Sequence, residues 1–284
     1  MKSEKWLFEI TPKSGLLDLK LKEVWRYRDL LMLFVRRDVI TLYKQTILGP
    51  LWYVIQPLFT SVIFTIIFNK IAGIETGGIP PFLFNLAGIT IWNYFKECLT
   101  ATSDTFKKNE AIFGKVYFPR IIIPLSLVIS NLLKYAIQFG IFIAFYIYYV
   151  LKGAVIAPNS YLLLYPLLVI CMGVLGLGLG MVISSMVTKY RDLTFLVSFG
   201  IQLLMYMSAV MYPIAIIKEN ISDYSWLVTY NPLAYLIESS RLLLLDFGEV
   251  NIEGLIYTGV VSISILFLGI VVFNRTEKTF IDTI

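Results

Sequence analysis

Few residues of this chain have the types and spacing that covalent chemistry needs. There is no histidine, which removes the usual proton shuttle and the commonest metal ligand. The two cysteines, Cys98 and Cys171, lie in separate apolar runs and define neither a disulfide framework nor a metal site. Acidic residues are sparse and mostly in loops, whereas a hydrolase or glycosyltransferase needs positioned acid, base or metal groups. No catalytic residue and no metal site is therefore expected. The phosphate-cradling pattern G-x-x-x-x-G-K-[ST] is absent. The run GVLGLGLG (173–180) has the look of a dinucleotide loop, but it lies inside an apolar run without the strand that such a loop follows. Gly176, Gly180 and Ser184 there form a small-xxx-small stripe, which suits close helix packing.

What remains could bind and guide rather than react. Lys96, Glu97 and Lys134 stand in apolar surroundings, where a charge is costly and points to function. Counted from Arg120, Lys134 lies about 21 Å into its helix, and Glu97 lies about 12 Å from the end of its own. That mismatch argues against an ion pair between them and favours a Lys134 that faces an aqueous cavity or a subunit interface, or that snorkels. Tyr135, Phe139, Phe142, Tyr146 and Tyr149 are spaced 4, 3, 4 and 3 apart, which aligns five rings on one helix face. Such a stripe is either packing or a wall of rings along a passage, able to stack on the apolar faces of sugars. Arg36, Arg37 and Lys44 belong to a basic amphipathic stretch, DLLMLFVRRDVITLYKQTILG. It reads as a helix held on anionic lipid, or as a surface that meets a soluble partner or a phosphate head, which arginine can grip bidentately.

The elements that must position these residues are membrane helices. Of 284 residues, 58% are hydrophobic and 15% charged, against about 25% charged in soluble domains. Apolar runs of about 20 residues, each long enough to cross the hydrocarbon layer, recur. They predict an all-α integral membrane protein with six transmembrane helices near 50–69, 82–103, 121–150, 161–187, 194–217 and 254–273. No secretory signal is apparent near the start. Eighteen of the 24 Lys and Arg fall on one face of this topology, against Lys70, Lys152, Lys218 and Arg241 on the other, so the richer face is cytoplasmic and both termini lie there. Three parts follow: a cytoplasmic N-terminal interface segment (1–48), a six-span domain (49–273) and a cytoplasmic tail (274–284).

Two connections are more than loops. TYNPLAYLIESSRLLLLDFG (229–248) reads as an outer helix with Asn231 as N-cap, Pro232 at the first position and Gly248 past its end. Glu238 and Arg241 sit three apart on it. At about 24 Å it is short for a full crossing, so a re-entrant helix is expected. KNEAIFGKVYFPRIIIP (108–124) reads as a short charged surface helix ended near Gly114, with Arg120 at the headgroups where span three begins.

Four stretches together resemble the membrane subunit of ABC-2-type polysaccharide exporters, which move O-antigen, capsule and teichoic acid precursors. They are RRDVITLYKQTILGPLWYVIQPLFTSVIFTIIF, FGKVYFPRIIIP, KYRDL (189–193) and YNPLAYLIESSR (230–241), in the family's order. The resemblance implies a type V exporter-like fold: six spans, an N-terminal amphipathic interface helix and outer re-entrant helices between spans five and six. It implies a homodimer with two copies of a separate nucleotide-binding ATPase. No cofactor would sit on this chain, because ATP and Mg would be bound by that partner. It implies that the aromatic stripe and Lys134 line the substrate conduit, and that Arg36, Arg37, Lys44, Leu48 and Gly49 border a cytoplasmic entrance for a lipid-linked pyrophosphate head. Lys107, Lys108, Glu110, Phe113, Lys115, Tyr117, Arg191 and Asp192 are the residues it assigns to ATPase coupling.

The expected function is that of a permease subunit in the bacterial inner membrane. It would export polysaccharide on an undecaprenyl-type lipid, with no part for nucleic acid and no enzymatic activity of its own. The rivals are an ABC-2 exporter of a small amphiphile or drug, a membrane-embedded enzyme of glycan assembly and an ion-driven transporter.

Overall fold

The computed structural model describes residues 21–44, 49–113, 118–190, 192–220, 222–248 and 251–280, and every regular element among them is helical. Helices α1 (Leu21–Arg26) and α2 (Arg28–Tyr43) open the described chain. α2 turns Leu31 and Phe34 inward, into a cluster with Phe118, Ile122 and Phe273. Its Arg36 and Arg37 stand exposed. Helix α3 (Trp52–Phe64) continues directly into a π-helical stretch, Thr65–Ile71. Next come α4 (Pro81–Ser103), α5 (Thr105–Phe113), α6 (Ile122–Leu151), α7 (Tyr165–Lys189) and α8 (Leu193–Met207). The chain then makes α9 (Ile214–Asn220), α10 (Trp226–Thr229), α11 (Pro232–Leu245) and α12 (Ile252–Phe280).

Among the described residues, four stretches are long and apolar enough to cross a membrane: Trp52–Ile71, Ile122–Leu151, Leu162–Lys189 and Ile252–Glu277. α4 has the length, at 23 residues, but it carries Asn85, Asn93, Lys96 and Glu97. Those groups are tolerable because α4 packs against α3, α6, α7 and α11, so most of its surface meets protein rather than lipid. Proline at its first position removes an N–H that would have had no helical partner anyway.

The expected glycine stripe on α7 is a packing device. A β-carbon on Gly176 would lie 2.7 Å from that of Cys98, and one on Gly180 would lie 2.5 Å from that of Thr102. The bare backbone lets α7 press against α4. Ser184 extends the stripe and accepts a hydrogen bond from the Phe106 amide at 3.4 Å. On its other side α7 packs against α12.

The fifth expected span, 194–217, is not one continuous helix. α8 stops at Met207, Ala209 has φ 54°, and α9 starts only at Ile214. Pro213 stands at this break and can supply no helical N–H, and the carbonyls of Ala209, Val210 and Tyr212 are taken by Arg241 instead. Arg120 is buried against protein, donates to the Glu277 carbonyl at 2.8 Å and lies over the Phe113 ring. Burial holds its pKa below the usual arginine value, and the Glu277 carboxylate, 3.7 Å away, opposes that shift.

Candidate functional site

Lys134 and Glu97 are paired. The Lys134 Nζ lies 3.0 Å from the Glu97 carboxylate and 5.3 Å from the centre of the Tyr53 ring. The expectation that they sit at different depths is thus overturned. At 30 residues α6 is about 45 Å long, well beyond a hydrocarbon layer of about 30 Å. A depth counted from its start is therefore overestimated. One turn away, Asn93 donates to Gln138 at 3.3 Å. Together these groups form a polar seam between α4 and α6, with Tyr53 of α3 at its edge. Lys96 and Thr100 continue α4 alongside it, half-buried and exposed respectively.

The five-ring series lies on one face of α6, as its spacing predicts, but that face is largely turned inward. Tyr135 and Phe142 are buried. Tyr135 and Phe139 stack at 5.7 Å, and Phe139 stacks on Tyr165 of α7 at 5.3 Å. The Tyr135 and Tyr165 hydroxyls share a hydrogen bond of 2.6 Å. Phe139, Tyr146 and Tyr149 are half-buried, and the Tyr146 hydroxyl donates to the Ile156 carbonyl at 3.3 Å.

Residues expected near the entrance and the coupling surface divide by burial. Arg36, Arg37 and Lys44 are exposed, and Arg37 is held by Asp38 at 2.8 Å and lies over Phe34. Gly49 turns the chain with φ 47°. On α5, Lys107, Lys108 and Glu110 are exposed, with Lys108 bound to Asp104 at 2.8 Å. Phe113 is instead buried against Phe106 and Phe118. Asp192, exposed, precedes α8. Leu48, Lys115, Tyr117 and Arg191 lie outside the described residues.

Helix α11 begins as its sequence predicts: the Asn231 side chain accepts from the Leu233 amide at 3.0 Å, and Pro232 takes the first position. It ends at Leu245, with Asp246 in the left-handed region at φ 53°. Its Arg241 is fully buried over the ring of Phe84 and donates to the carbonyls of Phe84, Ala209, Val210 and Tyr212. One guanidinium thus joins α11, α4 and the break after α8. Sequence reasoning placed Arg241 beside Glu238 but missed this tie. The signal was available: an arginine followed by four leucines, RLLLL, has to be buried and must find acceptors.

A family model described as "ABC-2 type transporter" matches residues 29–245. The chain belongs to this family. The matched region runs from α2 to the end of α11 and so takes in the polar seam, the ring series and the Arg241 tie. An O-antigen export system permease protein, RfbA, of Klebsiella pneumoniae is 30% identical over 255 residues, which cover 89% of this chain and 94% of that protein. Another RfbA from the same organism is 30% identical over 254 residues, with the same coverage. RfbA of Myxococcus xanthus is 23% identical over 263 residues, 93% of this chain and 98% of that protein. ABC-2 proteins of this kind are transport membrane subunits, and with several apolar helices this one is a multi-pass membrane protein.

Proposed function

We propose that this chain is the permease subunit of an ABC transporter that exports O-antigen-like polysaccharide. The observation that carries the reading is the 30% identity to O-antigen export permeases across 89% of the chain. ATP hydrolysis would belong to a separate subunit, present in two copies and binding ATP and Mg. The chain would work as a homodimer in the bacterial inner membrane, with both termini cytoplasmic, on a glycan carried by an undecaprenyl-type lipid. α8, none of whose residues is buried, offers an apolar face for a second copy.

The topology we infer has six crossings: the four apolar stretches, the polar α4 and the short α8. α2 would lie on the inner surface, and α9 to α11 would form the re-entrant outer segment. Arg36, Arg37, Lys44, Leu48 and Gly49 would receive the pyrophosphate head. The conduit would follow the polar seam at Lys134 and the α6 rings. Within those rings Tyr135 and Phe142 root the wall in the core, and Phe139, Tyr146 and Tyr149 are the accessible members. Lys107, Lys108 and Glu110 would meet the ATPase, alongside Lys115, Tyr117, Arg191 and Asp192, with Phe113 anchoring their helix.

The test is ATPase turnover of the purified complex in lipid. Stimulation by a lipid-linked O-glycan and none by hydrophobic drugs is expected. Stimulation by drugs alone would favour export of a small amphiphile, and sugar transfer by this chain without any ATPase would make it an enzyme.

A further inference from the structure

Helix α11 runs antiparallel to the first turns of α12. Tyr235 lies on the backbone of Gly254, where a β-carbon would come within 2.5 Å of the ring, and the Thr258 hydroxyl donates to the Pro232 carbonyl at 3.3 Å. Just before α11, the Tyr230 carbonyl accepts from the Tyr257 hydroxyl at 3.0 Å. Tyr230 is therefore level with Tyr257. On α12 that level is defined against lipid. Ile252, Ile256, Val260 and Ile263 are exposed and fall on one face of the helix. The stretch between Glu253 and Arg275 carries no charge. As a helix it is about 33 Å long, close to a hydrocarbon layer of about 30 Å. The limits of the layer thus fall near those two residues, and Tyr257 lies about 6 Å inside the limit at Glu253.

At this level α10 turns two rings outward. Trp226 opens the helix and Tyr230 follows its last residue, one turn on, and they are 55% and 69% exposed. Val228, between them, is buried with Ala209, Ile214 and Ala234. The short helix therefore has a rooted side and an open aromatic side. Among the described residues neither the Trp226 indole N–H nor the Tyr230 hydroxyl has a hydrogen-bond partner. Water alone would leave the ring faces bare, and hydrocarbon alone would leave the N–H and O–H unmet. An apolar ring with a polar tip is satisfied where the two meet, which is why tryptophan and tyrosine collect at bilayer interfaces.

We propose that the Trp226–Tyr230 edge is a membrane anchor, whose partner is the glycerol and headgroup layer of the outer leaflet. The choice of leaflet rests on the topology inferred above; nothing in the anchor depends on the cargo. Its reach extends to the neighbouring elements. Asn231, between the anchor and α11, donates to the Met207 carbonyl and the Ser208 hydroxyl, each at 3.0 Å, so the end of α8 is fixed at the same level. Further along α11, Arg241 holds the carbonyls of the break after α8. The start of α11 is thus referred to the bilayer surface, and its far part to the protein core.

Fluorescence quenching by brominated phosphatidylcholine tests it, on the full chain in nanodiscs. Trp226 is read as the difference between wild type and Trp226→Phe, an exposed and conservative change that leaves the other tryptophans in place. Its emission should be lost most to bromine near the glycerol, less to bromine near the bilayer centre, and least to aqueous iodide. Tyr230→Asp, at a position equally exposed, should lift the edge toward water, with a red shift of Trp226 emission and a gain in iodide quenching. Quenching of wild type by iodide rather than lipid would put the edge in water. Quenching by neither would put it under protein, such as a second copy, and a maximum at the bilayer centre would put it in hydrocarbon. Each of these, or a Trp226 signal unmoved by Tyr230→Asp, would overturn the anchor. The leaflet is tested separately by labelling Asp223→Cys with a membrane-impermeant maleimide, with the parent chain and its two cysteines as the blank. Labelling from outside spheroplasts is expected. Labelling from the cytoplasmic side alone would overturn the topology and with it the choice of leaflet, whatever the quenching shows.

Discussion

The ammonium of Lys134 on α6 meets the carboxylate of Glu97 on α4 at 3.0 Å, with the two side chains 15% and 34% exposed. This partial burial sets the scale of the first prediction. Removing one partner of a fully buried pair costs about 3–5 kcal/mol, and a surface pair is worth about 0–1. Lys134→Ala should therefore lower stability by about 1–3 kcal/mol, between those limits. Adding Glu97→Ala should restore part of the loss, read as thermal unfolding of the purified protein. A double variant as unstable as the sum of the singles would show that the two charges do not interact.

Arg241 should resist even a conservative change. Lysine carries one ammonium and cannot reach the carbonyls of α4 and of the 208–213 break together. Arg241→Lys is expected to cost about 2–4 kcal/mol, because it leaves buried acceptors unmade, and to open the break to proteases. Gly88→Ala should produce the same phenotype without touching the charge, because a β-carbon there would run into the guanidinium. Unchanged proteolysis in both variants would mean that the tie is not what holds the break.

The glycines of α7 and α6 make a matched pair. Gly180→Leu should overpack the α4 contact, at about 1–3 kcal/mol, and reduce the folded yield. Gly140→Leu meets nothing within 4 Å and should leave the yield near wild type. Equal yields would argue that α7 and α4 can part without penalty.

The ring series should separate by burial. Tyr135→Ala with Phe142→Ala empties the core, at about 3–5 kcal/mol for an aromatic truncation, so folded protein should fall along with export. Tyr146→Ala with Tyr149→Ala should spare the folded yield and lower export, scored as surface polysaccharide per folded complex. Normal export in the second pair would leave the stripe as packing alone.

On α5, reversing the exposed charges with Lys107→Glu and Glu110→Lys should reduce substrate-stimulated ATPase turnover while the permease stays folded. Turnover equal to wild type would place the ATPase contact elsewhere.

Much of this was legible in the sequence because it depends on local pattern. The period of the apolar runs placed α4, α6 and α7 and the start of α12 to within a few residues, while α12 runs on to Phe280, past the expected end at 273. The Asn-Pro pair placed the start of α11, and the spacing of small residues placed the α7 seam. Facts that depend on how helices sit against one another were not legible. The Lys134–Glu97 pair needs the offset of α6 relative to α4, which counting along either helix does not give. Span five read as continuous because its residues are apolar throughout, and nothing local reveals that a guanidinium 30 residues later takes its carbonyls. The ring series shows the limit of periodicity: spacing aligned the rings on one face, while only the arrangement of α4 and α7 decided that two of them are buried.

Only Asp104 separates α4 from α5. At its far end α4 is held by Arg241 through the Phe84 carbonyl, and along its flank by α7. A helix clamped in this way has little room to bend. It acts as a strut about 34 Å long, at 1.5 Å per residue, with the charged turn of α5 as its foot and the break after α8 at its head. On the export reading, a push on that foot would be carried along α4 to the break after α8 as displacement.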